Sequence, residues 1–102
     1  MVRHIVVWDF LDNLSVEEKC KHAELMKKEL KKLQDLIPGL ISIELLNNHL
    51  ETSEAELLLD SMFVSEDALK NYSIHPEHVR VANNYIKPVV KNRRCFDVIV
   101  ES

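Results

Sequence analysis

Glycine, proline and cysteine are scarce in this 102-residue chain, which contains one, three and two of them respectively. So little glycine and proline excludes a loop-rich chain and predicts long helices and strands joined by short turns. The two cysteines, Cys20 and Cys95, lie far apart and lack the Cys-x-x-Cys spacing, so they do not form the pattern of a disulfide framework. We therefore expect free thiols in a reducing cytoplasm.

Long apolar runs and an excess of basic residues are also missing. No apolar run approaches the ~18 residues of a membrane span, and no signal peptide precedes the first strand-like segment. The net charge is -4, whereas nucleic-acid-binding domains carry a basic face. The one lysine-rich stretch, residues 27–34, alternates with Glu and Leu as an exposed helix face does. The sequence predicts a cytoplasmic protein that binds neither membranes nor nucleic acids.

The apolar residues that are present, 46% of the chain, predict one globular domain over residues 1–102 with the order β-α-β-β-α-β. Strands are expected at residues 2–10, 40–48, 55–64 and 94–100, and in the second of them Ile41, Ile43 and Leu45 share one face. Ser15 and Glu18 form a capping box for the long first helix. Pro38 and Gly39 end that helix.

The second helical region is expected in two pieces. Ser65 is the candidate N-cap of the first piece, and His75, directly before Pro76, is that of the second. Pro88 should distort or end the second piece.

This order is the α+β, ferredoxin-like βαββαβ plan, a four-stranded antiparallel sheet with helices on one face. The first and third strands also carry apolar residues on the opposite face, namely Ile5, Val7, Leu58 and Met62. Exposed on a monomer, they would form a large apolar patch. The sequence therefore predicts a homodimer in which the two sheets face each other and enclose a barrel-like core.

Several motifs, in order, resemble the stress-responsive dimeric α/β-barrel family, known as Dabb. They are the opening VRHIVVWDF strand with His4, the IPGL turn, the F-x-S-x-x-A-L-x-x-Y stretch from Phe63 to Tyr72 that runs into HPEHV, and the closing strand with Phe96 and Asp97. The resemblance covers nearly the whole chain and implies the same dimeric barrel. The family includes the plant olivetolic acid cyclase and the boiling-stable protein of aspen.

The resemblance implies a cavity between sheet and helices, in which a Tyr and a His of the plant cyclase catalyse an aldol condensation. Those positions correspond to Tyr72 and His78, and His4 corresponds to a further histidine of that cavity. His78 would abstract a proton beside a carbonyl, because its intrinsic pKa of about 6.5 suits base catalysis, and Tyr72 would stabilise the enolate oxygen. We expect an apolar, carbonyl-containing ligand to contact Val6, Trp8, Met26, Leu59, Phe63 and Ala82. Ala23 and Met26, where the cyclase has aromatic residues, indicate a different ligand or a cavity filled by Met and Trp side chains.

Other interpretations stay open at this point. Tyr72 and His78 could instead hydrogen-bond each other or a backbone carbonyl in a noncatalytic, ligand-binding or stress-related dimer. The hypothesis that the protein is a cofactor-independent or heme-linked monooxygenase is supported only by the fold plan it shares with related barrel families and by its histidines. His75, His78 and His4 could together bind zinc, but their spacing is common, and neither a metal nor an organic cofactor is predicted. Asp97 could pair with a histidine or cap a turn.

Overall fold

A computed structural model describes residues 1–101; Ser102, the last residue of the predicted domain, lies outside them. The chain forms β1 (Val2–Phe10), α1 (Val16–Leu36), β2 (Leu40–Leu46), β3 (Leu57–Phe63), α2 (Glu66–Ile74), α3 (Pro76–Val81), a π-helical turn (Ala82–Ile86) and β4 (Val90–Ile99). The strands pair antiparallel in the order β2-β3-β1-β4. This is the predicted ferredoxin-like fold with helices on one face. Within residues 1–101, no helix has the length and apolar character needed to cross a membrane.

The first helix begins and ends where the sequence predicts. At its start, the Glu18 amide donates to the Ser15 hydroxyl (3.1 Å) and the Ser15 amide donates to the Glu18 carboxylate (2.9 Å). Its end is followed by Gly39, whose φ of +85° lies in the left-handed region. A Cβ at Gly39 would lie 2.6 Å from the Cβ of Ala68, so this turn requires glycine for both conformation and space.

The two central strands alternate between a buried face and a less buried face. In β1 the side chains under the helices are Val2, His4, Val6, Trp8 and Phe10, and all of them are buried. The opposite face carries the predicted apolar residues Ile5, Val7, Leu58 and Met62, which are only half-buried within one chain. Phe96 of β4, paired with Ile5, extends this open face and is 63% exposed.

The second helical region consists of α2, α3 and the π-helical turn. The predicted N-caps are both present, because Ser65 accepts from the Ala68 amide and His75 Nδ1 accepts from the Glu77 amide, each at 3.1 Å. The Lys87 amide donates to the Ala82 carbonyl (2.8 Å), the five-residue spacing that defines a π-helix. The helical segment ends before Pro88, which cannot donate a backbone hydrogen bond.

Three of the predicted strand limits were wrong by two residues or more. Strand β4 begins at Val90, not at residue 94, because a β-bulge interrupts its alternation: between Val7 and Asp9 of β1, one residue of β1 faces two of β4. Asn92, in the bulge, has a φ of +57°. Strands β2 and β3 are shorter than expected, ending at Leu46 and starting at Leu57. Ile41 is 40% exposed at a register shift and does not share the buried face.

Candidate active site

A cavity of about 490 Å³ opens between the sheet and the second helical region. Its walls contain seven of the predicted site residues, namely His4, Val6, Trp8, Leu59, Tyr72, His78 and Ala82. Ile86, Lys87, Val90, Lys91, Asn92 and Arg93 complete the lining. The size and the combination of an apolar surface with polar groups are typical of a small-molecule site.

Two predicted ligand contacts, Met26 and Phe63, are not part of this lining. Both are fully buried in the core. Phe63 packs its ring against Tyr72, with 4.9 Å between the ring centroids, and so supports a cavity residue from behind. Periodicity along a helix or strand identifies the face on which a residue lies, but not whether another side chain covers it.

His78 presents one ring nitrogen as a proton acceptor. Its Nδ1 lies 3.2 Å from the Ser73 carbonyl oxygen. A carbonyl only accepts hydrogen bonds, so Nδ1 carries the proton of the neutral ring and Nε2 keeps a free lone pair. Burial lowers the pKa of His78, and the positive charges of Lys87 and Arg93 act in the same direction. The ring is therefore neutral at pH 7 and able to take up a proton.

Tyr72 carries a buried hydroxyl beside that histidine. The residue is 2% exposed, and its ring centroid lies 4.2 Å from that of His78. Within residues 1–101, the hydroxyl has no hydrogen-bond partner, which is rare for a buried polar group. Burial raises the pKa of Tyr72 far above its usual range, so the hydroxyl keeps its proton and can donate it to a hydrogen bond.

His4 lines the cavity from strand β1, and its ring is fixed in orientation by a hydrogen bond to Asp97. The two residues are cross-strand partners on β1 and β4, and His4 Nδ1 donates to the Asp97 carboxylate. Asp97 thus pairs with a histidine, one of the two roles that the sequence left open. With Nδ1 engaged, Nε2 is the nitrogen of His4 that remains for a ligand. The His4 and Tyr72 ring centroids are 6.2 Å apart.

The three-histidine zinc hypothesis does not match the geometry. His75 Nδ1 is used as a helix cap, and His78 Nδ1 contacts the Ser73 carbonyl. Among residues 1–101, the donor atoms that do cluster are those of His4, Cys95 and Asp97, within 4.8 Å of one another. These are donor types that zinc accepts, although His4 and Asp97 already satisfy each other. Cys95 and Cys20 are free thiols, as expected.

Sequence reasoning missed the cationic part of the cavity. Lys87 follows the π-helical turn, and Lys91 and Arg93 flank the bulge residue Asn92 in β4. The available signal was the polar run KNRR directly after Val90, of which the first three residues lie before the predicted start of the last strand at residue 94. A bulge explains the missing alternation.

A family model for the stress-responsive A/B barrel domain, Dabb, matches residues 2–100. The chain belongs to the Dabb family. No curated protein matches the sequence of this Dabb chain.

Three solved structures are similar to this Dabb protein. A dimeric protein of unknown function with a ferredoxin-like fold from Bacteroides fragilis is 30% identical, with a TM-score of 0.86 over 95% of this chain and 93% of that one. The hydroxynitrile lyase of Passiflora edulis is 18% identical (TM-score 0.78, 98% and 93% covered). An antibiotic biosynthesis monooxygenase is 11% identical (TM-score 0.73, 100% of both chains). The last two show a common fold alone.

Proposed function

We propose that this Dabb protein is an enzyme that abstracts a proton beside the carbonyl group of a small, largely apolar compound. One observation carries the proposal: a buried Tyr72 hydroxyl, unpartnered within residues 1–101, lies beside a neutral His78 in the wall of one cavity. A proton acceptor and a hydrogen-bond donor are the two groups that enolisation needs.

The proposed step is the formation of an enolate. Nε2 of His78 takes the proton from the carbon next to the carbonyl, and the C–H electron pair becomes the C=C bond. The π electrons of the carbonyl move to its oxygen, which accepts a hydrogen bond from Tyr72. The enolate then takes back a proton at another position, which is an isomerisation, or attacks a second carbonyl, which is an aldol cyclisation. His78 returns its proton at the end of either reaction.

The rest of the cavity supports this chemistry by holding the ligand and excluding water. Val6, Leu59 and Ile86 supply an apolar surface, and removal of water strengthens the hydrogen bond from Tyr72 to a developing negative charge. Nε2 of His4, fixed in orientation by Asp97, is available to a polar group of the ligand. His4 therefore acts in positioning the ligand.

Hydrogen–deuterium exchange tests the proposal without a known substrate. The protein is incubated in D₂O with a panel of cyclic and linear ketones and oxo acids, and loss of the α-proton signal is followed by ¹H NMR. We expect faster exchange for at least one member of the panel, and loss of the acceleration in His78→Gln. His49→Gln is the matched control, because His49 also bonds a backbone carbonyl through Nδ1 (3.3 Å) but does not line the cavity.

A noncatalytic ligand-binding dimer is the second candidate, and the same cavity supports it. It predicts saturable binding of apolar compounds with no acceleration of exchange by the unmodified protein. The monooxygenase alternative is supported only by the shared fold, and oxygen uptake with phenols or heme would be its signature.

We further propose that the chain forms a homodimer through the open face of its sheet. Ile5, Val7, Leu58 and Met62 lie on this face half-buried, beside the exposed ring of Phe96. Burial of such a face against a second copy removes apolar area from water. The similar protein from Bacteroides fragilis, which is itself dimeric, supports this arrangement.

A further inference from the structure

The cavity is positively charged although the chain as a whole is acidic. Its walls contain Lys87, Lys91 and Arg93, and within residues 1–101 no aspartate or glutamate lines it. The net charge of the chain is -4, so this local excess of three cations opposes the overall balance. Groups of one charge beside a low-dielectric wall raise the local concentration of ligands of the opposite charge.

The three cations differ in how they are paired. Lys91 Nζ is 2.5 Å from the Asp12 carboxylate, so its charge is already neutralised. Neither Lys87 nor Arg93 forms an ion pair with any carboxylate of the described chain, although both act electrostatically on the half-buried ring of His78. Two cations without an ion pair in residues 1–101 thus line the same cavity as His78.

Arg93 directly follows the β-bulge residue Asn92. Asn92 adopts the left-handed conformation, with a φ of +57°, and donates from Nδ2 to the Asp9 carboxylate at 3.0 Å. The bulge places Asn92 and Arg93 opposite Trp8, on whose side of the sheet the cavity lies. Bulges commonly re-aim side chains next to active sites. Arg93 lies two residues before Cys95 and so on the same face of β4 as Cys95 and Asp97, where it lines the cavity.

We propose that the ligand of this cavity carries a carboxylate, which Arg93 binds through its guanidinium with Lys87 as a second cation, while the apolar body of the ligand lies against Trp8 and Leu59. A planar guanidinium matches a carboxylate with two parallel hydrogen bonds, which gives orientation as well as affinity. Taken together with the proposed enolisation, on which this assignment of the reacting compound rests, the substrate class is an oxo acid. Its carboxylate is held by the cations and its carbonyl faces Tyr72 and His78.

Binding of a matched pair of probes tests the carboxylate subsite separately from any turnover. The probes are 4-phenylbutanoate and its neutral amide, which have the same size and apolar body. Trp8 is the one tryptophan of the chain and lines the cavity, so its fluorescence reports occupancy directly. We expect the carboxylate to bind on the order of tenfold more tightly than the amide, as charge-assisted hydrogen bonds do.

The variants are Arg93→Gln and Lys87→Gln, with Arg94→Gln as the control. Arg94 is the next residue along β4, is also exposed and changes the net charge equally, but pairs with Val7 and does not line the cavity. Arg93→Gln should remove most of the preference for the carboxylate, Lys87→Gln should reduce it, and Arg94→Gln should leave it unchanged. Far-UV circular dichroism confirms that each variant is folded.

Three outcomes would overturn the carboxylate subsite. They are equal affinity for both probes, an equal loss of the carboxylate preference in Arg93→Gln and Arg94→Gln, and no saturable change in fluorescence with either probe. Failure of the enolisation proposal gives a different result, since the carboxylate preference would persist while no compound shows accelerated exchange. Retained exchange without a carboxylate preference would overturn the subsite alone.

Discussion

Replacement of Tyr72 by phenylalanine separates a functional hydroxyl from a structural one. The hydroxyl is buried without a partner in residues 1–101, while the ring around it packs against Phe63 and His78. Phenylalanine keeps the ring and removes only the oxygen. A buried polar group that lacks a hydrogen bond costs roughly 1–3 kcal/mol of folding free energy, so its removal should stabilise the protein.

The expected gain is about 1 kcal/mol, the lower end of that range, and for a domain of this size it raises Tm by roughly 4–8 °C. The same variant should lose catalysis, because removal of a donor to a developing oxyanion typically slows the reaction by about 10²–10³-fold. If the hydroxyl instead forms a hydrogen bond that stabilises the helix junction, its removal would lower the free energy of unfolding by about 1 kcal/mol.

Urea unfolding at pH 7.5 and the exchange assay measure the two effects. Protein concentration must be equal in all samples, because the stability of a dimer depends on it. Tyr85→Phe is the matched control, since Tyr85 is the other tyrosine, is half-buried and does not line the cavity. It should change neither quantity. If Tyr72→Phe lowers the free energy of unfolding by about 1 kcal/mol and leaves the exchange rate unchanged, the proposed catalytic role of this hydroxyl is refuted.

Three further predictions concern pH, the turn and the open face. The pKa of His78 lies below its ordinary value near 6.5. The rate of exchange should therefore be constant around pH 7 and fall only below pH 6.5, where the ring becomes protonated and can no longer act as a base. NMR titration of the His78 ring checks this. Arg93→Gln removes a positive charge and should therefore raise the pKa of His78, so that exchange begins to fall at a higher pH. Gly39→Ala should lower the free energy of unfolding in urea by about 2 kcal/mol, because alanine disfavours the left-handed φ and its Cβ would clash with Ala68. No measurable change in this free energy would contradict the prediction. Phe96→Glu should convert the dimer to a monomer in light scattering, and an unchanged mass would exclude this face from the interface.

The fold was predictable because its signals are local and agree with one another. The capping box of Ser15 and Glu18, the turn at Gly39 and the caps Ser65 and His75 each mark the start or end of an element. Apolar alternation then orients the central strands correctly. The start of β4 could not be found in this way, because a bulge adds a residue to one strand only and its position depends on the partner strand.

The candidate site was predictable in part. The motif around Tyr72 and His78 placed both residues in one cavity wall with His4. It could not show that the Tyr72 hydroxyl lacks a partner, nor that Asp97 holds His4, because both depend on contacts across the fold. Met26 and Phe63 were misplaced for the related reason that depth within a core is set by neighbouring side chains. Arg93 escaped notice because it lies before the predicted start of β4, which was set too late.

The π-helical turn makes the cavity adjustable by changes in chain length. It holds one residue more than an α-helical turn would, and Ala82 and Ile86, at its two ends, both line the cavity. Deletion of one exposed residue between them, Asn83 or Asn84, would replace the π-helical turn by an α-helical one and so change the spacing of these two wall residues. Relatives that gain or lose this residue would differ in the shape of the molecules they accept while keeping Tyr72 and His78 in place. Single-residue insertions and deletions here are thus a route by which ligand range diverges without any substitution among the reactive groups.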